Sequence, residues 1–115
     1  MGINTPLLVG GLISYFVSHS SDDAKINAKR LSEGNASSAA LDIRKVVENA
    51  ILTSASTVIL AHNHPSGIAL PSDDDCAATT RAAQALQTIG VALADHIIVA
   101  EDDYVSLADS GILRR

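Results

Sequence analysis

The spacing of apolar residues is weakly patterned at the start of the chain and strongly patterned after residue 41. In the segment after residue 41 the apolar positions recur at helical spacing, which predicts an amphipathic helix with the inner face Ile43, Val46, Val47, Ala50 and Ile51. The β-branched run at 57–61 is too short for a helix and predicts a buried strand that ends directly before His62. After a loop rich in proline and glycine, a second helix is predicted from Ser72 to the glycine at position 90. Its predicted inner face is Cys76, Thr79, Thr80, Ala83, Leu86 and Ile89.

The remaining segments complete a mixed α/β pattern. Residues 91–100 predict a second strand, 101–103 a turn, 104–107 a short strand and the C-terminus a final half-helix. The first twenty or so residues predict a short helix and then a polar loop, residues 24–31 a strand and residues 32–38 a loop. This order of elements indicates one mixed α/β (α+β) domain, in which helices flank a central mixed β-sheet.

Length, charge and cysteine content narrow the class of protein. At 115 residues the chain is long enough for one compact domain, and its core must be aliphatic because it has no Trp, two Tyr and one Phe. A net charge of −5 argues against strong binding to nucleic acid. The single cysteine, Cys76, excludes an intrachain disulfide, and no apolar run reaches the roughly eighteen residues of a membrane span. We therefore expect a cytoplasmic protein without a membrane partner, whose assembly into homo-oligomers the sequence leaves open.

The segment 62–75 concentrates the residues that carry chemistry. His62 and His64 are two residues apart, so in an extended segment their imidazoles point to the same side and can face one metal ion. An isolated pair of this kind is more typical of exposed loop histidines, and Ser72-x-x-Asp75 alone is typical of a helix cap. A loop between a strand end and a helix start, however, returns Asp75 towards the histidines. The combination favours a metal site with two nitrogen ligands and one carboxylate.

The same residues resemble a known family. The string His62-x-His64, seven residues, Ser72-x-x-Asp75 resembles the metal motif of the JAMM or MPN+ (JAB) metallohydrolases. The resemblance to the RadC branch is carried by His62-Asn63-His64-Pro65-Ser66-Gly67, Pro71-Ser72, Asp95-His96-Ile97-Ile98, Tyr104-Val105-Ser106, Leu31-Ser32-Glu33-Gly34 and Ile43-Arg44-Lys45-Val46-Val47. It implies a JAB/MPN, cytidine-deaminase-like architecture over residues 31–115, preceded by a divergent or truncated segment at 1–30.

The resemblance also implies a role for each residue of the motif. By carry-over, His62, His64 and Asp75 would hold Zn²⁺ with a water in the fourth position. Ser72 would be catalytic, because it matches the serine that hydrogen-bonds the developing oxyanion. The implied activity is hydrolysis of a peptide or isopeptide amide bond in a peptide or protein substrate.

The general base does not stand in the place that the resemblance implies. The family places a glutamate upstream, near its first strand, where it takes the proton of the metal-bound water. No glutamate precedes Glu33 in this chain, so the base is Asp22, Asp23 or Glu33, or it is absent. Glu48, the next glutamate, falls on the polar side of its predicted helix. An alternative function is therefore a metal-binding module with weak or no catalysis, in a DNA-repair or protein-interaction role.

The pair Asp95-His96 at the start of a predicted strand has two interpretations. It can orient a metal ligand through a hydrogen bond, as polar groups behind a metal site commonly do. It can equally form a structural hydrogen bond within the sheet. The sequence leaves both open, and it predicts that His19 is a solvated loop residue.

Overall fold

A computed structural model of the chain describes residues 11–20, 25–35, 41–64 and 67–113. Its elements are β1 (Gly11–His19), β2 (Ile26–Asn35), α1 (Ile43–Leu52), β3 (Thr57–Asn63), α2 (Asp73–Thr88), β4 (Ala92–Ala100) and β5 (Asp103–Ser106). The five strands form one sheet in the order β2-β1-β3-β4-β5. Strands β3 and β4 are parallel and the other neighbours are antiparallel, so the sheet is mixed as predicted.

The core lies between the sheet and the two helices. Alternate residues of a strand share one face, and the row Val58, Leu60 and His62 of β3 begins with two fully buried apolar side chains. His96 and Ile98 of β4 are buried on the same face. The helices cover that face with further aliphatic side chains, which are Val46, Ala50, Ala82 and Leu86. His62 is therefore the last member of a buried row, at the point where the row reaches solvent.

The N-terminal part of the described chain corrects the prediction. Residues 11–19 form the strand β1, not a short helix, because both of its edges are paired, with β2 on one side and β3 on the other. Its apolar residues include Tyr15, Phe16 and Val17, whose aromatic and β-branched side chains suit a strand. The strand predicted at 24–31 is present as β2 but continues to Asn35, through part of the predicted loop. His19 is exposed as predicted, although it lies at the end of a strand rather than in a loop.

The C-terminal part differs in one element. Up to residue 113, the last one that the structure describes, turns replace the predicted half-helix, and the carbonyl of Leu107 accepts hydrogen bonds from the backbone N–H groups of both Ile112 and Leu113. The predicted strands at 91–100 and 104–107 are present as β4 and β5, within one residue at each end.

The inner face of α2 is rotated slightly from the predicted one. Thr79 and Leu86 are buried as predicted, whereas Thr80 is exposed and its hydroxyl donates to the backbone carbonyl of Cys76. Two alanines, Ala78 and Ala82, complete the buried stripe, because small side chains let the helix lie close to the sheet. In the described ranges no helix is both long and apolar enough to cross a membrane.

Candidate metal centre

The end of β3 and the turn after it position the two histidines. The backbone N–H of His64 donates to the carbonyl of Val99 at 2.8 Å, which keeps the chain paired with β4 one residue beyond the strand. The N–H of Gly67 then donates to the carbonyl of His64 at 3.1 Å and closes a tight turn. Gly67 has φ of 86°, a left-handed conformation that favours glycine. These two bonds fix the backbone of His64 and hold Gly67 beside it.

The start of α2 positions the carboxylate. The hydroxyl of Ser72 accepts from the N–H of Asp75 at 3.0 Å, and Asp75 Oδ2 accepts from the N–H of Ser72 at 2.8 Å. This reciprocal pair is a capping box, so the helix-cap interpretation of the two residues is correct. The same box leaves Asp75 Oδ1 outside the cap and fixes the carboxylate in one orientation. Capping and ligand placement are thus performed by the same contacts.

Three ligand atoms converge where these segments meet. The Nε2 atoms of His62 and His64 are 3.1 Å apart, and they lie 3.3 Å and 3.1 Å from the two carboxylate oxygens of Asp75. Ligands at 2.0–2.1 Å in a tetrahedral zinc site are about 3.3 Å from one another. The three side chains are 10, 18 and 17% exposed, so they are mostly buried but still reach solvent. His62, His64 and Asp75 together can hold a metal ion.

The charge state of the group suits a cation. Partial burial acts to raise the pKa of Asp75, but the neighbouring His62 ring and the hydrogen bond from the Ser72 backbone outweigh it, and the pKa lies well below its usual range. His64 Nδ1 lies 3.1 Å from the carbonyl oxygen of Ile68. A carbonyl only accepts, so Nδ1 carries the proton and, in the neutral ring, the lone pair is on Nε2. The donors at the centre are therefore one carboxylate and at least one imidazole of the correct tautomer.

A buried histidine and a buried threonine lie behind the candidate ligands. His96 Nε2 is 2.8 Å from His62 Nδ1, and His96 Nδ1 is 2.5 Å from the hydroxyl of Thr79. That hydroxyl donates to the backbone carbonyl of Asp75 at 2.7 Å. Burial, together with the neighbouring His62, lowers the pKa of His96 to about 4, so its imidazole is neutral at pH 7.

The two interpretations of the pair Asp95-His96 each hold for one member. His96 contacts a candidate metal ligand, as the first interpretation predicts. Asp95 instead accepts hydrogen bonds from the hydroxyl of Ser106 at 2.5 Å and from the N–H of Ala108 at 3.0 Å. It thereby attaches β4 to the segment after β5, which is the structural role. The sequence predicts Thr79 only as a residue of the helix core; its position one helical turn after Asp75 is the signal that could have placed it behind the site.

The carboxylates considered as general base lie at different distances from the centre. Glu33 lies on β2, where it pairs with Ile13 of β1, and β1 separates β2 from β3. Glu48 is exposed and accepts from Arg44 at 3.2 Å, one turn earlier on α1. The other two candidates, Asp22 and Asp23, lie outside the described residues.

Glu101 is a further carboxylate, which the sequence placed only in a turn. Its Oε1 is 3.8 Å from the point where a Cβ on Gly67 would stand, so it lies against the turn that follows His64. The position of Glu101 near Gly67 follows from the parallel pairing of β3 and β4, in which Asn63 is opposite Val99. Residues that follow the two strands therefore emerge at the same edge of the sheet.

The fold and the site define a mixed α/β domain with a candidate metal centre at the carboxyl end of a strand. The chain belongs to the family of the RadC-like JAB domain, which it matches over residues 15–112. This confirms the resemblance and the fold class. The match starts inside β1, while the boundary drawn at residue 31 stays a prediction.

Several bacterial proteins are similar to about three quarters of the chain. A UPF0758 protein of Porphyromonas gingivalis is 42% identical over 89 residues, which cover 76% of this chain and 39% of the relative. The UPF0758 protein of Saccharophagus degradans is 47% identical over 81 residues, covering 70% and 36%. UPF0758 protein BAV2405 of Bordetella avium is 45% identical over 83 residues, covering 72% and 37%. The matched segments span less than two fifths of the length of these relatives.

Proposed function

We propose that this domain is a zinc-dependent hydrolase of the JAMM type that cleaves a peptide or isopeptide amide bond. The observation that carries the proposal is the convergence of His62 Nε2, His64 Nε2 and the Asp75 carboxylate within 3.1–3.3 Å of one another. Three protein ligands that remain accessible to solvent are typical of a catalytic zinc site, whereas structural sites are closed by a fourth protein ligand. Membership of the RadC-like JAB domain family supports the same function.

Zinc bound here would supply a water acidified to a pKa of about 7 and a Lewis acid for the scissile carbonyl. The role of the protein is to hold and orient. The Ser72 hydroxyl accepts from the Asp75 N–H, which leaves its own O–H free for a second bond. Ser72 is exposed beside a candidate ligand, so it can donate to a substrate carbonyl oxygen as negative charge develops there.

The proton of the water needs a carboxylate, and four residues are candidates. Asp22, Asp23 and Glu33 follow from the resemblance, and Glu101 follows from its contact with the turn after His64. The amide variants Asp22→Asn, Asp23→Asn, Glu33→Gln and Glu101→Gln separate them, because each removes the base without changing side-chain size. The variant that loses turnover while it retains zinc identifies the base.

The expected partner is a peptide or protein, in the cytoplasm. The net charge of −5 supports weak affinity for nucleic acid, since such affinity grows with the number of phosphates neutralised. The free, half-buried Cys76 is in keeping with a reducing compartment. Light scattering of the purified chain measures whether it self-associates.

The function is tested by metal content and amide hydrolysis measured together. The purified chain should hold about one zinc ion and cleave members of a peptide and isopeptide library, with chelator abolishing cleavage. His64→Ala should lose both properties. His19→Ala is the matched control, because His19 is exposed and pairs with Thr57 at the opposite end of β3. Retained zinc without cleavage of any amide would contradict the hydrolase and favour the non-catalytic metal-binding module.

A further inference from the structure

Two buried side chains that the proposed reaction does not use connect one candidate ligand to another. His96 and Thr79 are 3% and 1% exposed. The path runs from His62 Nδ1 to His96 Nε2 at 2.8 Å, from His96 Nδ1 to Thr79 Oγ1 at 2.5 Å, and from Thr79 Oγ1 to the carbonyl of Asp75 at 2.7 Å. It thus begins on the ring of one ligand and ends on the backbone of a second.

The last acceptor in this path fixes the direction of every bond. A carbonyl oxygen cannot donate, so the single proton of the Thr79 hydroxyl is directed to Asp75. Thr79 must then accept from His96, which places a proton on Nδ1 of that ring. With that proton on Nδ1, the Nε2 of a neutral His96 is an acceptor, and His62 donates to it from Nδ1. In a neutral ring, the lone pair of His62 is consequently on Nε2, the atom that faces His64 and Asp75.

We propose that Thr79 and His96 are positioning residues that hold His62 in the tautomer and ring orientation needed to bind a metal ion, with the Asp75 carbonyl setting the direction. This inference rests on the proposed metal site but not on hydrolysis. In both histidine ligands a carbonyl oxygen then keeps the proton on Nδ1. The Ile68 carbonyl accepts directly from His64, whereas the Asp75 carbonyl acts on His62 through Thr79 and His96. Hydrogen-bond partners of ligand histidines commonly change metal affinity by 10–100-fold.

Helix α2 provides a matched pair of variants. Thr79 and Thr80 are adjacent, and each donates to the carbonyl four residues earlier, at 2.7 Å and 3.0 Å. Only Thr79 also contacts His96, while Thr80 is exposed. Thr79→Val and Thr80→Val therefore remove the same type of helix bond, and only the first interrupts the path. Thr79→Ser restores the hydroxyl and serves as the conservative rescue.

The first measurement is the affinity for Zn²⁺ alone, by competition with a chromophoric chelator, with the Co²⁺ absorption spectrum as a second signal. Thr79→Val should weaken binding about 10–100-fold, and Thr79→Ser and Thr80→Val should bind as the unmodified chain does. His96→Gln, which keeps an acceptor near the Nε2 position, should lose less affinity than His96→Leu. Equal affinities for Thr79→Val and Thr80→Val, in protein that is folded by circular dichroism, would overturn the proposal. A chain that orders its affinities as expected but cleaves no amide refutes the hydrolase and leaves this inference standing.

The second measurement uses the unmodified chain and can be made without metal. Long-range ¹H–¹⁵N correlation spectra of the histidine rings report which nitrogen is protonated. His96 should be neutral with its proton on Nδ1 in both the metal-free and the zinc-loaded chain. A proton on His96 Nε2 would reverse the path and overturn the proposal, even if Thr79→Val failed to fold or the chain bound no zinc.

Discussion

Replacing Ser72 separates its two roles, the helix cap and the hydroxyl donor. Ser72→Ala removes the acceptor for the Asp75 N–H, a bond of 3.0 Å, and should lower the free energy of unfolding by about 1 kcal/mol. In a domain of this size that is a fall of about 4 °C in Tm. Glycine at an N-cap costs only a few tenths of a kcal/mol, so Ser72→Gly should be nearly as stable as the unmodified chain. Both variants lack the hydroxyl.

The kcat of the same variants should depend on whether residue 72 carries a hydroxyl and not on how stable the variant is. Loss of one donor to a developing oxyanion typically lowers kcat by about 10²–10³-fold. Ser72→Ala and Ser72→Gly should both show that loss with zinc retained, and Ser72→Thr should recover most of the rate. The control for stability is Asp42→Ala, because Asp42 caps α1 by accepting from the N–H of Lys45 at 3.2 Å, outside the site. It should lower Tm without reducing kcat.

Two measurements decide the matter, thermal unfolding in zinc-saturated buffer and initial rates of amide hydrolysis. Unchanged kcat in Ser72→Gly would show that Ser72 is a cap only, and the oxyanion role would be refuted. Unchanged Tm in Ser72→Ala, with Asp42→Ala destabilised as expected, would show instead that the capping box contributes little. Either result would stand independently of the other.

Three further predictions concern stability. Removing zinc with a chelator should lower Tm, because an ion present at 100 times its Kd stabilises the folded state by about 2.7 kcal/mol; calorimetry with and without chelator measures this. In the metal-free chain, stability should fall as the pH is lowered from 6.5 to 4. His96 stays neutral over that interval in the folded state while the unfolded chain takes up its proton, at a cost of up to about 3 kcal/mol. Urea titrations of the unmodified chain and of His96→Gln at several pH values check this prediction. If the free energy of unfolding fell equally with pH in the two proteins, the prediction would be contradicted. Leu86→Ala should cost about 2–5 kcal/mol in the same assay, whereas Ile51→Ala, at a side chain 60% exposed, should cost little.

The parts of the fold that the sequence predicted are those whose pattern is local. The strand β3, the helix α2 and the capping residues of that helix follow from runs of adjacent residues and from Ser72-x-x-Asp75. The candidate ligands were predicted for the same reason, since His62 and His64 are close in sequence and one loop returns Asp75 to them. Local pattern was sufficient wherever the contact partners were close along the chain.

The parts that the sequence missed depend on contacts between distant segments. Residues 11–19 are a strand because β2 and β3 pair with both of its edges, and this pairing adds to the local strand preference of residues such as Val17. Thr79 and His96 meet across 17 positions, from a helix and a strand. Glu101 lies near Gly67 because the parallel strands β3 and β4 end at the same edge of the sheet. Hydrogen-bond direction along the buried path is likewise a property of the assembled site.

The parallel pair β3 and β4, joined by α2, explains why the centre forms where it does. A helix that follows a strand in such a unit begins at the carboxyl edge of that strand, so the end of β3 and the first turn of α2 must meet. His62, His64 and Asp75 come from these two ends, and His96 supports them from the adjacent strand. In the proposed reaction, substrate and general base would therefore approach this edge of the sheet.

The two sides of β3 carry different candidate carboxylates. On one side β1 adjoins β3, with Ser14 opposite His62, and Glu33 lies one strand further away on β2. On the other side Glu101 directly follows β4, and its Oε1 is 3.8 Å from the point where a Cβ on Gly67 would stand. If Glu101→Gln loses turnover and Glu33→Gln does not, the base of this chain lies on the flank opposite to the one that the resemblance implies. The reverse result would place the base on the β1 side. The register of β1 with β2 and β3, rather than the parallel pair β3 and β4, would then be the feature that completes the site.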